Sequence, residues 1–210
     1  TIADFLTVSG DESILVSAGD GGGNHTILAV DDILFSDAVT VDGTDDTILT
    51  VESLTRGVRF SGTLNDDGAN DHSVVVNAVS GTADFNAEVG GVNPLEDLTV
   101  AAHDVILNAD VTADDDIDAT GSDDVLLTSD VILTSNDILF GPNTNVDGAQ
   151  SLKVDATASS VLGNVGDITP LTNLDVDGAT VTLHGDITVA GGIDFIDSAA
   201  ILVGDDASIT

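Results

Sequence analysis

The sequence lacks several residue types, and each absence excludes a class of protein. It contains no Cys, Met, Trp or Tyr, and only 3 Lys plus Arg. Without Cys there is no disulfide framework and no thiol chemistry. The 3 cationic side chains face 38 Asp plus Glu, which gives a formal net charge of −35. Such a chain repels nucleic acid and anionic membrane surfaces, so we expect no nucleic-acid partner.

Long apolar runs and a translation start are also missing. No stretch of about 18 consecutive apolar residues occurs, so we expect no membrane span. No signal peptide begins the chain, and there is no Met to start it. We therefore expect a processed product or a piece of a longer protein.

The residues that are present favour strands and turns. Hydrophobic residues make up 42% of the chain, which is too many for a disordered acidic tail. They are mostly Val, Ile, Leu and Ala, with only 6 Phe, and this indicates a narrow core of stacked aliphatic side chains. Nearly all the acid is Asp, a turn residue and a poor helix former.

Two segments of the chain, 89–134 and 165–210, repeat one pattern at a constant offset of 76 residues, the separation of Val89 from Val165. Matching positions include Val89-Gly90 and Val165-Gly166, Pro94-Leu95 and Pro170-Leu171, and Leu98 and Leu174. A constant offset over this length indicates stacked, equivalent units and therefore a solenoid. Four turns of about 19 residues would fill the offset.

Within the repeats, apolar residues alternate in short bursts such as Leu174/Val176 and Val181/Leu183. Each burst predicts a strand of about three to five residues, and Asp-Gly or Gly-Gly pairs between bursts predict tight turns. Three such strands make one turn of the coil, roughly 19–25 residues long. We expect a single domain over 1–210, with residues 1–30 the least regular.

The repeat phrase resembles a known family. Val165-Gly-x-x-x-Pro170-Leu171-x-x-Leu174-x-Val176, with Val181-Thr-Leu-x-Gly-Asp-Ile-Thr-Val-Ala-Gly-Gly192 after it, is similar to the repeats of large bacterial surface adhesins of the filamentous-haemagglutinin type. The resemblance implies an all-β, right-handed parallel β-helix, here of roughly 8–11 turns. It also implies secretion to the bacterial cell surface and a role in adhesion or extracellular fibres.

One acidic cluster is the main site candidate. Asp114, Asp115, Asp116 and Asp118 form the densest group of carboxylates, and they are candidate ligands for Ca²⁺. The alternative is a solvated turn without a ligand. Carboxylates stacked on adjacent turns repel each other and raise each other's pKa, so we expect divalent cations to stabilise the protein.

Interface candidates come from the rare basic residues and from the two ends. Arg56 and Arg59 are predicted to point outward on one face, either as a docking patch or as local partners of Asp. Apolar Ile2, Phe5 and Ile209 lie near ends that show no capping helix, so we expect uncapped ends. Uncapped coils continue covalently or stack end to end into filaments.

The four His residues offer no metal-ligand spacing and are expected on the surface; they are His25, His72, His103 and His184.

The repeat pattern and the resemblance together predict a structural and adhesive segment of a surface fibre, not an enzyme. Two alternatives remain open. The first is a calcium-dependent module that binds a glycan, a mineral or a cell-surface ligand. The second is a polysaccharide lyase or hydrolase of the β-helix type.

Overall fold

A computed structural model of the chain describes residues 6–8, 14–17, 24–42, 47–69, 71–204 and 207–210. Every regular element in these ranges is a β-strand. None of the described residues belongs to a helix with the length and apolar character that crossing a membrane requires.

The strands, in chain order, are β1 (Leu6–Val8), β2 (Ile14–Ser17), β3 (His25–Ala29), β4 (Ile33–Phe35), β5 (Val39–Asp42), β6 (Ile48–Ser53), β7 (Val58–Phe60), β8 (Leu64–Asp66), β9 (Ser73–Phe85), β10 (Leu95–Leu107), β11 (Val111–Ala119), β12 (Asp124–Leu127), β13 (Val131–Phe140), β14 (Asn145–Asp147), β15 (Ser151–Leu162), β16 (Asn164–Val165), β17 (Asn173–Asp177), β18 (Thr180–Leu183), β19 (Ile193–Ile196) and β20 (Ala200–Val203).

The strands pair in parallel with the strands one turn before and after them, which builds a β-solenoid of about eight turns. The coil has three faces, and the longer strands turn a corner and form part of two of them.

Each face is defined here by one inward-facing column of paired residues. Face 1 is the column Leu49, Val74, Leu98, Ile117, Ile138, Ser160, Val181 and Ile201. Face 2 is the column Ile33, Val58, Ala83, Val105, Val125, Val146, Val165, Ile187 and Ile209. Face 3 is the column Val39, Leu64, Val89, Val111, Leu133, Val154, Val176 and Phe195. The predicted parallel solenoid is confirmed.

The core is narrow and made of vertical stacks, as the aliphatic composition predicted. The inward columns are almost entirely buried from Ile33 to Ile187. Face 2 also carries an aromatic stack of Phe35, Phe60 and Phe85, with ring centroids 4.7 and 5.4 Å apart and nearly parallel planes. Because most positions in a column are apolar, side chains of similar character pack on one another along the axis.

Turn length changes along the coil. Leu49 pairs with Val74, 25 residues later, whereas Leu174 pairs with Ile193, 19 residues later. The strands stay in register despite the difference, so the extra residues of the early turns are accommodated at the corners. Register shifts there absorb the difference: from Ala102 to Asp104 β10 advances two residues, while its partner β9 advances four, from Ala78 to Thr82.

The two segments related by 76 residues have matching partners but lie on different faces. Val89 pairs with Val111, and Val165 pairs with Ile187, 22 residues later in both cases. The column of Val89 runs three turns up to Val154 on face 3, whereas Val165 lies two faces further on, on face 2. The offset therefore spans about three and two-thirds turns, and the expectation of four turns of about 19 residues was wrong.

Candidate cation-binding surface

Aspartates at the corners join consecutive turns of the coil. Oδ1 of Asp110 accepts a hydrogen bond from the backbone N–H of Ile132, at 2.8 Å. Further bonds of this kind run from Ser151 N–H to Asp130, from Gly57 N–H to Asp32 and from Ser208 N–H to Asp186. The short Asp side chain reaches a backbone donor one turn away, where the turn leaves that donor without a ladder partner. Part of the acid is thus structural, and this explains the preference for Asp over Glu.

Asp147 is the most buried of these corner aspartates. Its side chain lies among buried residues, and Oδ1 accepts from both Ile168 N–H and Thr169 N–H, each at 2.9 Å. Asparagines play the same part elsewhere: Asn164 accepts from Asp186 N–H, and Asn173 accepts from Gly192 N–H. An acceptor oxygen on a short side chain is therefore the common requirement, and a negative charge is not.

The four carboxylates that the sequence grouped as a calcium site have different neighbours in the structure. The register of β11 against β13 shifts between Thr112 and Asp116, at the corner between faces 3 and 1. Asp114 lines a surface groove of about 420 Å³ together with residues of earlier turns. Asp115 accepts from the side chain of Asn136, and Asp118 accepts from the N–H of Thr120.

Groups of three potential ligand atoms within 4.8 Å of one another occur at two other places in the described ranges. These are Asp66, Asp67 and His72, and His103, Asp104 and Asp124. Calcium binding at Asp114, Asp115, Asp116 and Asp118 stays a prediction.

Asp116 belongs to a vertical ladder of carboxylates on the outside of face 1. It pairs in register with Asp97 on the turn before and with Asp137 on the turn after. Burial raises the pKa of Asp116, and the charges of Asp115, Asp97, Asp137 and Asp118 raise it further. The sequence predicted such repulsion, but it did not single out Asp97 and Asp137, because the pairing register depends on the bulges at the corners.

The two arginines are paired with local aspartates. Nε of Arg59 donates to Oδ2 of Asp84 at 2.7 Å, and Asp84 is the in-register neighbour on the next turn. Arg56 precedes β7 and lies 3.7 Å from carboxylate oxygens of Asp31 and Asp32. Both guanidinium groups are largely exposed, so these ion pairs contribute little stability. A docking role for Arg56 and Arg59 stays a prediction.

Of the three apolar residues predicted at an interface, one can be placed. Ile209 is the last member of the face 2 column and is 47% exposed. Ile2 and Phe5 lie outside the described residues.

His72 is fully buried, so the expectation that all four histidines lie on the surface was wrong. Its Nδ1 lies 2.7 Å from Oδ2 of Asp66, which also accepts from the backbone N–H of His72. Asp66 pairs with Val41 in an inward-facing column of face 3, so its carboxylate enters the interior. The alternation of Leu64, Asn65 and Asp66 along the strand is the sequence signal that could have located this pair.

Burial and hydrogen bonds act in opposite directions on the two carboxylates beside His72. Burial raises the pKa of Asp66 despite hydrogen bonds from Gly68 and His72. Burial also acts to raise the pKa of Asp67, but the backbone hydrogen bond from Ala69 and other hydrogen bonds outweigh it, so that pKa is lowered. Buried polar groups need such partners, and we interpret the cluster as an internal structural pair.

The other histidines differ among themselves. His25 is half-buried and pairs in register with Leu49, which places it in the face 1 column. His103 and His184 are exposed.

Comparison of the chain with protein-family models, curated proteins and solved structures found no match of any of the three kinds.

Proposed function

We propose that this chain is a structural and adhesive segment of a secreted bacterial surface fibre or giant adhesin, and that divalent cations bind its acidic surface. The repeat phrase of 165–192 supports the family part of the proposal by its resemblance to surface-adhesin repeats. The parallel solenoid supports the mechanical part, because strand hydrogen bonds run along the axis from each turn to the next.

The observation that carries the proposal is the set of links between turns. Core columns, strand ladders and the corner aspartates and asparagines all connect residues about 19–27 positions apart, as in the bonds from Val92 N–H to Asn65 and from Gly192 N–H to Asn173. A rod built this way resists bending because every turn is fixed to its neighbours on three sides. Such a rod suits a spacer that holds an adhesive tip away from a cell.

Assembly by covalent continuation or by end-to-end stacking is part of the proposal. Ile201 and Val203 occupy columns whose preceding members, Val181 and Leu183, are fully buried. Yet Ile201 is 44% exposed and Val203 is 53% exposed. Another coil of the same type lying on this turn would bury them and complete the ladder of β20.

Cations enter the proposal through the carboxylate ladder. Asp97, Asp116 and Asp137 lie on three consecutive turns, about 4.8 Å apart per step. Burial raises the pKa of Asp116, and repulsion from the charges of Asp97 and Asp137 raises it further. A divalent cation bound along this ladder would remove part of that repulsion and stabilise the coil.

Force spectroscopy on the chain held at both ends tests the mechanical role. We expect resistance to unfolding in Ca²⁺ at low salt, and a lower unfolding force after chelation. Extension without measurable resistance would contradict the mechanical role, and a melting temperature that chelation leaves unmoved would contradict the cation role. Antibody labelling of intact producing cells tests the surface location, and labelling only after lysis would oppose it.

A second candidate function, cleavage of an acidic polysaccharide, rests on a groove on the outside of face 2. Arg59 and Asp84 line this groove of about 490 Å³. We rank this function lower because these two side chains are hydrogen-bonded to each other. Release of products from an acidic polysaccharide, abolished in Asp84→Asn, would establish it.

A further inference from the structure

Three side chains with metal-ligand chemistry converge at the corner between faces 1 and 2. Ligand atoms of His103, Asp104 and Asp124 all lie within 4.8 Å of one another. Nδ1 of His103 is 3.0 Å from Oδ1 of Asp104. All three residues are partly or fully exposed, so ions in solution can reach them.

The corner that β10 turns between faces 1 and 2 creates this arrangement. Neighbouring residues of a regular strand point to opposite sides, which would separate His103 from Asp104. Ala102 and Val105, which flank the pair, are both buried, so the two side chains between them lie on the outside of the corner, where the register of β10 against β9 shifts. The next turn then places Asp124 directly in register with Asp104.

The carboxylate of Asp124 is held in position from the turn above. The Nδ2 amide of Asn145 donates to Oδ1 of Asp124 at 2.8 Å, and Nδ2 of Asn164 donates to Oδ1 of Asn145 at 3.0 Å. These three residues occupy one outward column, so their side chains form a chain of hydrogen bonds along the axis. Outer partners of this kind fix the orientation of a metal-binding carboxylate.

We propose that His103, Asp104 and Asp124 bind one divalent transition-metal ion of the zinc class, which joins two consecutive turns of the coil. An imidazole with two carboxylates is a donor set that suits Zn²⁺ or Ni²⁺, and three protein ligands leave a position for water. Ca²⁺ prefers about six to eight oxygen ligands and gains little from an imidazole. The proposal is independent of the oxygen-bound cations proposed above for the ladder of Asp97, Asp116 and Asp137.

The cluster of Asp66, Asp67 and His72 is less suited to a metal. Its His72 is fully buried, and Asp66 already accepts from Gly68 N–H, His72 N–H and the His72 ring. A metal ion would have to displace these bonds and enter the interior. The exposed cluster has neither obstacle.

Protons compete with the metal at this site. The hydrogen bond with Asp104 raises the pKa of His103, and the charges of Asp104, Asp123 and Asp124 add to the effect. Metal binding requires the neutral imidazole. Affinity therefore falls as the pH is lowered through the raised pKa of His103.

Titration calorimetry of the chelator-treated chain with Zn²⁺ tests the proposal, at slightly alkaline pH and in a large excess of Mg²⁺ to mask the general acidic surface. We expect one site per chain. His103→Ala and Asp124→Asn each lower the affinity for Zn²⁺ by about tenfold or more. His184→Ala, which changes another exposed histidine, leaves it unchanged. Zn²⁺ also shifts the imidazole NMR signals of His103 and raises the melting temperature of the wild type but not of Asp124→Asn.

Equal affinity for Zn²⁺ in His103→Ala and wild type would overturn the proposal, as would complete displacement of Zn²⁺ by Mg²⁺. Circular dichroism of the variants confirms that the exposed substitutions preserve the fold. Failure of this site would leave the response to Ca²⁺ and chelation unaffected, so the two proposals fail separately.

Discussion

Gly90 and Gly166 share a left-handed backbone conformation, with φ of 68° and 70°, although they follow residues on different faces of the coil. A Cβ on Gly90 would collide with the carbonyl oxygen of Thr112, and one on Gly166 would collide with that of Thr188. The sequence repeat thus gives the two corners the same local geometry, although they lie at different positions around the axis of the coil. Because the three faces use the same parallel pairing, a repeat that is not a whole number of turns still fits.

Gly90→Ala and Gly166→Ala should therefore destabilise the protein to a similar extent. Each adds the left-handed strain of a non-glycine residue to a backbone collision, and we expect a loss of about 2 kcal/mol or more in the free energy of unfolding. Urea unfolding measures it. Gly192→Ala is the control, because a Cβ there has its nearest neighbour at 3.8 Å. A tolerated substitution at either corner would contradict the described geometry.

Removing the acceptor oxygen of a corner aspartate should lower the free energy of unfolding more than removing only its negative charge. Asp147→Ala leaves the N–H groups of Ile168 and Thr169 without their acceptor, and we expect a loss of about 2 kcal/mol or more. Asp147→Asn keeps an acceptor oxygen and should lose less. Asp167→Ala, at an exposed position in the same corner, is the control. Equal losses in Asp147→Ala and Asp167→Ala would show that the bonds between turns contribute no stability.

Asp116→Asn should stabilise the protein at neutral pH. The folded-state pKa of Asp116 is raised above its usual value of 3.8, so this group favours folding below that value and loses the contribution as the pH rises through the folded-state pKa. At pH 7 and low salt we expect a gain of about 0.5 kcal/mol in Asp116→Asn, which removes like charges from in-register neighbours.

The gain should disappear near pH 3 (a value below the usual and the raised pKa), because the wild-type side chain is then largely neutral too. Asp167→Asn removes the same charge from an exposed turn and serves as the charge-matched control. Thermal melting across the pH range measures both variants. A gain in Asp116→Asn no larger than that in Asp167→Asn would assign the effect to net charge alone.

Phe60 should be the most sensitive ring of the aromatic stack, because it contacts both Phe35 and Phe85. Phe60→Ala should lower the free energy of unfolding by about 3–5 kcal/mol. Phe60→Leu keeps an apolar side chain in the column, and the same column holds a leucine, Leu107, two turns later. This variant should therefore lose less free energy of unfolding. Chemical denaturation compares the two. Equal losses in both variants would indicate that stacking of the rings, and not filling of the core, dominates at this position.

Most of the fold could be predicted from the sequence because the signal is local. Alternation as in Leu174/Val176 specifies a short strand, and Asp-Gly and Gly-Gly pairs specify the tight corners. The number of turns in the 76-residue repeat could not be predicted. It depends on how many residues each corner absorbs, and register shifts such as the one where β9 and β10 turn the corner carry no clear sequence mark.

The candidate sites were less predictable for the same reason. Asp114, Asp115, Asp116 and Asp118 are close in sequence, but at this corner, where the register shifts, they have different neighbours on the adjoining turns. Asp97 and Asp137 join Asp116 only through the pairing of turns. Burial of His72 depends on the side chain of Asp66 pointing inward. Because the sequence contains so many aspartates, nothing in its pattern marks this one as inward-pointing.

Disulfide trapping between turns tests the stacked coil most directly, since the chain has no cysteine of its own. Leu139 and Val161 are in-register neighbours on the outside of face 1, and Thr182 lies one turn further. Cysteines at 139 and 161 would be about 4.8 Å apart and should form a disulfide on mild oxidation, whereas cysteines at 139 and 182, two turns apart, should not. Bridging of the second pair, or of neither, would contradict the stacking of each turn on the one before it.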